Sequence, residues 1–258
     1  MAGSNEPKKT INAVSTAFQI VETLQELRGA GVTEIADTVG VSKGTAYNHL
    51  VTLEDAHYVV KNDDNTYDVS LKFLDVAHDV RRRFPIVELV ETEVDELAAE
   101  SEEMALFTVA EHGQGICLYV AYGERSVQTP LYVGHRSDLH TTAVGKAILA
   151  YESPADVDRI VEERGLTAQT EHTITDRDRL FDELELIRER GGIAFNREET
   201  IHGLVGVGAP ITYHDGEIAG AISIIGPASR MDGPRLEREL PAMIERSVNI
   251  IEVNSTSL

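Results

Sequence analysis

The chain has 258 residues and a formal charge of −21, from 23 Lys and Arg against 44 Asp and Glu. At that length, with 42% apolar residues, one or two cored domains are expected. No stretch approaches a membrane span and no secretory apolar region follows Met1, so a cytoplasmic protein away from membranes is expected. The single cysteine, Cys117, excludes an internal disulfide and a Cys-based metal centre, and its alternating apolar surroundings read as core.

The acid is unevenly spread. Residues 1–84 carry 9 basic and 12 acidic residues, leaving 14 and 32 for the rest. A DNA-binding function, which so acidic a total argues against, is therefore still open to the N-terminal part.

In chain order, Ile11, Val14, Phe18, Val21, Leu24 and Leu27 repeat at helical spacing and predict a first helix packed behind the next two. From Gly31 to Val59 two short helices flank a tight turn. Ile35, Ala36 and Val39 face inward on the first, Gly40 stops it, Val41 is a buried pin and Ser42 caps the second. On the second, Ala46, Leu50 and Leu53 form one inward stripe, leaving Lys43, Thr45, Tyr47, Asn48 and Thr52 outside. That is the layout of a helix-turn-helix whose second helix enters the major groove. An ordinary helical hairpin buried in a core has the same periodicity. His57–Lys61 and Thr66–Val69 around the polar turn 62–65 read as a hairpin, and a hairpin directly after such a helix is a wing. Asp63 and Asp64 at its tip disfavour close phosphate contact; Lys61 and Asn65 at its base are better placed. The candidate DNA-contacting residues are Ser42, Lys43, Thr45, Tyr47, Asn48 and Lys61, with Thr45 and Asn48 nearest base edges.

Leu71–Arg83 predicts an amphipathic connector with Leu71, Leu74, Val76 and Ala77 apolar, ended by Pro85. Arg81–Arg83 close it and read as a solvated, phosphate-facing or subunit-facing charge run. Beyond it come a helix over 85–100 with Val87, Val90, Val94 and Leu97 on one face, a hairpin of strands 104–109 and 115–121, and a strand over 129–133. A helix over 142–150 follows, then one opened by Ser153 and Pro154, then one opened by Thr175 with Asp178 and ended by Gly191-Gly192. Two apolar strands, 203–212 and 217–225, and a closing helix over 236–253 complete the chain. Helices and hairpins mixed in this way indicate an α+β domain with a mainly antiparallel sheet.

Two motifs carry more than architecture: LHTTAVGKAILA (139–150) and GGIAFNREETIHGLVGVGAPITYHDGEIAGAISIIGP (191–227). In order and spacing they resemble the effector-binding domain of the IclR family of transcriptional regulators, and with the winged helix in front the resemblance covers nearly the whole chain. It implies a winged helix-turn-helix domain over 1–70, a linker helix over 71–84 and a GAF-like effector-binding domain over 85–258. It also implies a homodimer or dimer of dimers on a double-stranded DNA operator, and a small-molecule effector such as a small organic acid, sugar or sugar acid of a catabolic pathway. No cofactor is expected. By resemblance, the ligand contacts fall at Ala143, Val144, Asn196, Gly206, Ser223 and Ile225. Relatives often carry an acidic residue, a cysteine and a serine where Asn196, Gly206 and Ile225 stand here, and Arg where Asn48 stands. Asn48 suits adenine.

The residues support an anion site independently. First-turn N–H groups of Thr142, Ala143 and Val144 make a carboxylate-binding helix terminus. His135, His140 and His202 lie near these motifs, but no pair has metal-ligand spacing and no metal site is expected. Lys146 reads as structural or subunit-facing. Gly203, Gly206 and Gly208 lack the context of a nucleotide loop. No nucleophile–base pair is evident, so no catalytic residue is expected; the competing reading is an enzyme or metabolite-binding protein whose helix-turn-helix is only structural. Few lysines and no tryptophan give a composition resembling proteins of extreme halophiles. In molar salt the Debye length is about 3 Å, so an acidic surface no longer repels DNA at range.

Overall fold

The computed structural model describes residues 10–255, which form two compact units meeting in sequence between Arg83 and Phe84. Among those residues no helix is long and apolar enough to cross a membrane.

The first unit opens with α1 (Asn12–Leu27), then β1 (Ala30–Gly31), α2 (Val32–Val39) and α3 (Lys43–Asp55), and the wing strands β2 (Val59–Lys61) and β3 (Thr66–Val69). Its core gathers Ile20, Leu24, Ile35, Ala36, Ala46, Leu50, Val59 and Tyr67. Burying each Leu or Ile of this set contributes about 1.5–3 kcal/mol. The wing is a three-stranded sheet in the order β1-β3-β2; the two-residue β1 is too short for a periodicity to reveal.

The first helix departs from expectation. Ile20, Thr23 and Leu24 are its buried residues, whereas Ile11 and Phe18 are 69% and 61% exposed and Val14 is also exposed. At about 100° per residue, Val14, Phe18 and Ile11 lie roughly 120–180° around the helix from Ile20. The single predicted stripe is thus two apolar faces, one in the core and one in solvent. The connector, α4 (Lys72–Arg81), has no buried residue at all. Leu71 and Leu74 are 81% and 67% exposed, with Val76 and Val80 exposed beside them. Its first turn is anchored: Phe73 packs edge-on against Tyr58 and Lys72 donates to the Ala56 carbonyl.

The second unit is built on a six-stranded antiparallel sheet in the order β6-β5-β4-β9-β8-β7. Its strands are β4 (Met104–Glu111), β5 (Gln114–Tyr122), β6 (Arg136–Asp138), β7 (Ala194–Arg197), β8 (Leu204–Thr212) and β9 (Ile218–Pro227). Side chains alternate across the sheet. Phe107, Val207, Ile222 and Ile224 point to one core with α5 (Ile86–Ser101) and α9 (Leu240–Ser255). Met104, Leu106, Cys117 and Ala221 point to a second core with α6 (Ala143–Tyr151), α7 (Pro154–Arg164) and α8 (Arg177–Glu189).

Three expectations need correction. Residues 129–133 form no strand. Pro130 lacks an N–H donor, and the chain reaches the sheet only later, where Gly134 and His135 exchange backbone hydrogen bonds with Cys117 and lead into β6. Helix α8 is capped by Asp176, whose carboxylate accepts from Arg179 N–H at 2.9 Å, one residue later than the predicted Thr175. The closing helix begins with a π-helical turn, Arg235–Glu239, before α9 settles into α-helix.

Candidate functional site

Two surfaces carry the chemistry, one in each unit. In the first, Gly40 (φ 76°) ends α2 in the left-handed conformation that glycine adopts without strain, and its N–H closes on the Ala36 carbonyl. The chain then turns, and Ser42 Oγ accepts from Thr45 N–H at 3.1 Å to start α3. The Ser42 and Thr45 hydroxyls also bond each other at 2.8 Å. Lys43, in the first turn of α3, and Thr45, Tyr47 and Asn48 are exposed, while Ala46 and Leu50 are buried. Thr52 spends its hydroxyl on the Asn48 carbonyl at 2.8 Å. Lys61 is exposed and bends over the Tyr67 ring, 5.8 Å from its centroid.

The acidic wing tip has a structural reason. Asp64 accepts from Thr66 N–H at 3.0 Å and its hydroxyl at 2.6 Å. Those bonds shape the turn and hold the Asp64 carboxyl below its usual range. Asn62 braces the base by donating to Thr66 Oγ1 and Asp68 Oδ2.

In the second unit a cavity of about 80 Å³ lies on the α6 side of the sheet. Thr142, Ala143, Val144, Asn196, Gly206, Ser223 and Ile225 all line it, so the structure brings all seven sequence-picked residues together. Thr142 caps α6, its Oγ1 accepting from Gly145 N–H at 3.0 Å. The N–H groups of Ala143 and Val144, in the first helical turn, have no intrahelical partner. Ser223 is fully buried and its Oγ has no hydrogen-bond partner among the described residues. Gly208 explains how strand and helix come so close. A Cβ there would sit 3.1 Å from Ser223 Cβ, 3.3 Å from Val144 N and 2.9 Å from the Ile222 carbonyl oxygen. A bare backbone at Gly208 therefore lets the α6 terminus settle beside the Ser223 hydroxyl.

Asn196 plays a different part from a free ligand donor. Its Nδ2 donates to Thr200 Oγ1 at 2.9 Å and its Oδ1 accepts from Glu199 N–H at 2.9 Å. Thr200 in turn donates to the Thr141 carbonyl. Asn196 thus pins the 197–200 turn over the start of α6, with one donor and one lone pair to spare. Under the same turn, Lys146 Nζ donates to both Glu199 carboxylate oxygens at 2.6 and 2.7 Å, with the Lys146 side chain only 1% exposed. The lysine expected to be structural or subunit-facing is a buried ion-pair partner.

Sequence reasoning missed other walls of the cavity. Leu131 and His135 line it because residues 129–135 form a loop over it rather than a strand, and Ser137 lines it from β6. Burial pushes the His135 imidazole below its ordinary value, which favours the neutral ring. Burial likewise pushes the Cys117 thiol up to about 11, keeping it protonated. His140 is buried elsewhere, bonded to the Thr167 carbonyl, and His202 is exposed.

A family model for the IclR helix-turn-helix domain matches residues 13–63, and one for the bacterial transcriptional regulator IclR C-terminal region matches residues 78–252. The chain belongs to the IclR family of transcriptional regulators. It is 31% identical over 255 residues to a probable HTH-type transcriptional regulator ArcR of Halobacterium salinarum, covering 98% of this chain and 96% of that one. The Thermotoga maritima IclR crystal structure matches with a TM-score of 0.79 and 28% identity over 95% of this chain and 99% of that one. An IclR homologue from Microbacterium hydrocarbonoxydans, solved with 4-hydroxybenzoate, shares the fold at a TM-score of 0.81 and 16% identity, covering 95% of this chain and 100% of that one. As in other family members, an N-terminal helix-turn-helix serves DNA-binding regulation of transcription.

Proposed function

We propose that this IclR-family regulator is controlled by a small organic acid, sugar or sugar acid of a catabolic pathway, held in the α6 cavity. The observation that carries the reading is the unpartnered Ser223 hydroxyl beside the α6 N-terminus. A buried hydroxyl without a partner costs about 1–3 kcal/mol, and the terminus favours negative charge. Together they suit a carboxylate. Leu106, Leu131, Ile201, Leu204 and Ile225 supply an apolar wall, which favours an acid with an apolar or aromatic body over a polyhydroxylated one. The 4-hydroxybenzoate bound by the Microbacterium homologue is an acid of that kind.

At the other end, Asn48 and Thr45 read base edges, while Ser42, Lys43, Tyr47 and Lys61 position the module on the backbone. The exposed apolar faces of α1 and α4 support a homodimer on a palindromic operator. The effector then acts through its different affinity for two dimer arrangements, coupled along the linker helix 71–84. The concentration of acid outside the first unit supports a working environment of molar salt.

A paired experiment in molar KCl tests both ends. A thermal-shift screen of organic acids, sugars and sugar acids identifies the effector by a raised melting temperature, and a gel shift locates the operator. Asn48→Ala should lose specific DNA binding and keep the thermal shift; Ser223→Ala should lose the shift and keep DNA binding. An unchanged footprint for Asn48→Ala refutes the base contact, and a full thermal shift for Ser223→Ala refutes the carboxylate site.

A further inference from the structure

Glu171 and His172 lie on the loop between α7 and α8, and His202 lies on the turn between β7 and β8. About thirty residues separate them, so no sequence spacing joins them. The fold does. Thr170 Oγ1 donates to the Glu198 carbonyl at 2.7 Å and Thr173 Oγ1 to the Glu199 carbonyl at 2.6 Å. Thr173 is buried and also accepts from Gln169 and Thr170 N–H. Gly203 N–H donates to Glu198 Oε2 at 2.6 Å. Both loop backbones are therefore fixed against each other before their outer side chains are considered.

On that platform His202 Nε2 lies 3.2 Å from Glu171 Oε2, and His172 Nε2 lies 3.8 Å from Glu171 Oε1. One ligand atom from each residue falls within 4.8 Å of the others, and the two imidazoles meet edge to face, 6.3 Å apart. A tetrahedral zinc ion with bonds of about 2.0–2.1 Å holds its donor atoms roughly 3.3–3.4 Å apart. The His202–carboxylate distance is close to that value, and the three donor atoms, within 4.8 Å of one another, come to it by rotation of exposed side chains. We infer that Glu171, His172 and His202 form a binding site for a divalent transition-metal ion of the zinc class. Two imidazoles and one carboxylate select such an ion over calcium or magnesium, which take oxygen ligands. The fourth position faces solvent, since all three residues are exposed. His202 directly follows Thr200 and Ile201 in the cavity wall. A bound ion therefore tethers that wall to the 170–173 loop.

The test uses the full chain in molar KCl, free of any affinity tag and stripped with EDTA. Titration with Zn²⁺ by calorimetry should give one ion per chain and a raised melting temperature, with no response to Mg²⁺. His172→Ala and His202→Ala should each weaken Zn²⁺ binding by at least about tenfold. The three side chains are exposed, so the variants should melt like the parent without metal, which separates loss of the site from loss of the fold. No Zn²⁺ binding, equal binding of Mg²⁺, or binding undiminished in the double histidine variant overturns the inference. The last two outcomes would leave Glu171 and the histidines as a surface charge cluster only. None of these results depends on the effector.

Discussion

The two units spend their apolar residues differently. In the second, both faces of the sheet are covered: α5 and α9 close one core, α6 to α8 the other, and Val87, Val90, Val94 and Leu97 of α5 are all buried. In the first, one small core is closed by one face of α1, and Phe18, Leu71 and Leu74 are left in solvent. The second unit closes two cores and still exposes large apolar residues such as Val133 in a loop and Val253 at the end of α9, whereas the first unit gathers most of its exposed apolar residues on and beside two helices, α1 and α4. The contrast extends to polar groups. The ligand unit buries an ion pair, while the first unit keeps its charged residues at the surface.

The strongest way to break this contrast is to remove the buried charge. Lys146→Met leaves Glu199 facing the core without its partner. It should destabilise the ligand unit by about 3–5 kcal/mol, read as a lower urea midpoint. Adding Glu199→Leu should recover much of the loss, because a hydrophobic pair of similar volume is often as stable as the ion pair it replaces. If Lys146→Met alone melts like the parent, the pair does not hold the turn over the cavity.

In the DNA-reading unit the corresponding weak point is a cap rather than a charge. Ser42→Ala removes the acceptor for Thr45 N–H and frees the Thr45 hydroxyl. A loss of about 1 kcal/mol is expected, together with weaker DNA binding because α3 starts less firmly. Hydrogen exchange at Thr45 and Ala46 should report it. Unchanged protection there would show that the turn after Gly40 alone sets the helix.

How far the sequence spoke also differs between the units. Helix α3, strand β3 and the α6 terminus were legible because caps and alternation are local signals, which Ser42, Thr66–Val69 and Thr142 obey; Asn196, Gly206, Ser223 and Ile225 came from the family resemblance. The two-faced α1 was not, because periodicity shows where apolar residues recur but not what covers them. The 129–133 loop was misread for a related reason. A short apolar run looks the same in a strand and in a loop laid over a cavity, and only Pro130 and Gly134 hinted otherwise. The partner of Lys146 and the cluster at His202 were hidden outright, since both join residues far apart in the chain.

A smaller effect separates the units by pH. Burial lowers His140 below its ordinary value of 6.5 despite the Thr167 carbonyl beside it. The folded state then binds fewer protons than the unfolded one between the two values, so stability rises with pH across that window. The ligand unit should lose stability as pH falls from about 6.5, while His140→Gln should reduce that slope and leave the part that the likewise lowered His135 contributes. Thermal melts between neutral and mildly acidic pH read the difference; a slope equal in parent and variant would assign it to another group.

The smallest effect on stability carries the largest consequence for assembly. Leu74→Asp and Phe18→Asp change side chains already in water, so each should shift monomer stability by no more than about 0.5 kcal/mol. If the exposed faces of α1 and α4 are covered by a second copy, a buried aspartate there costs far more in the dimer than in the monomer. Light scattering should then show a monomer where the parent is larger, and operator affinity should fall because two half-sites are no longer read together. Effector binding by the second unit should persist, since its cavity is lined entirely by its own residues. A parent-sized particle from the double variant would mean that the apolar faces of the first unit are not what holds the copies together. The contrast with the second unit would then need another cause.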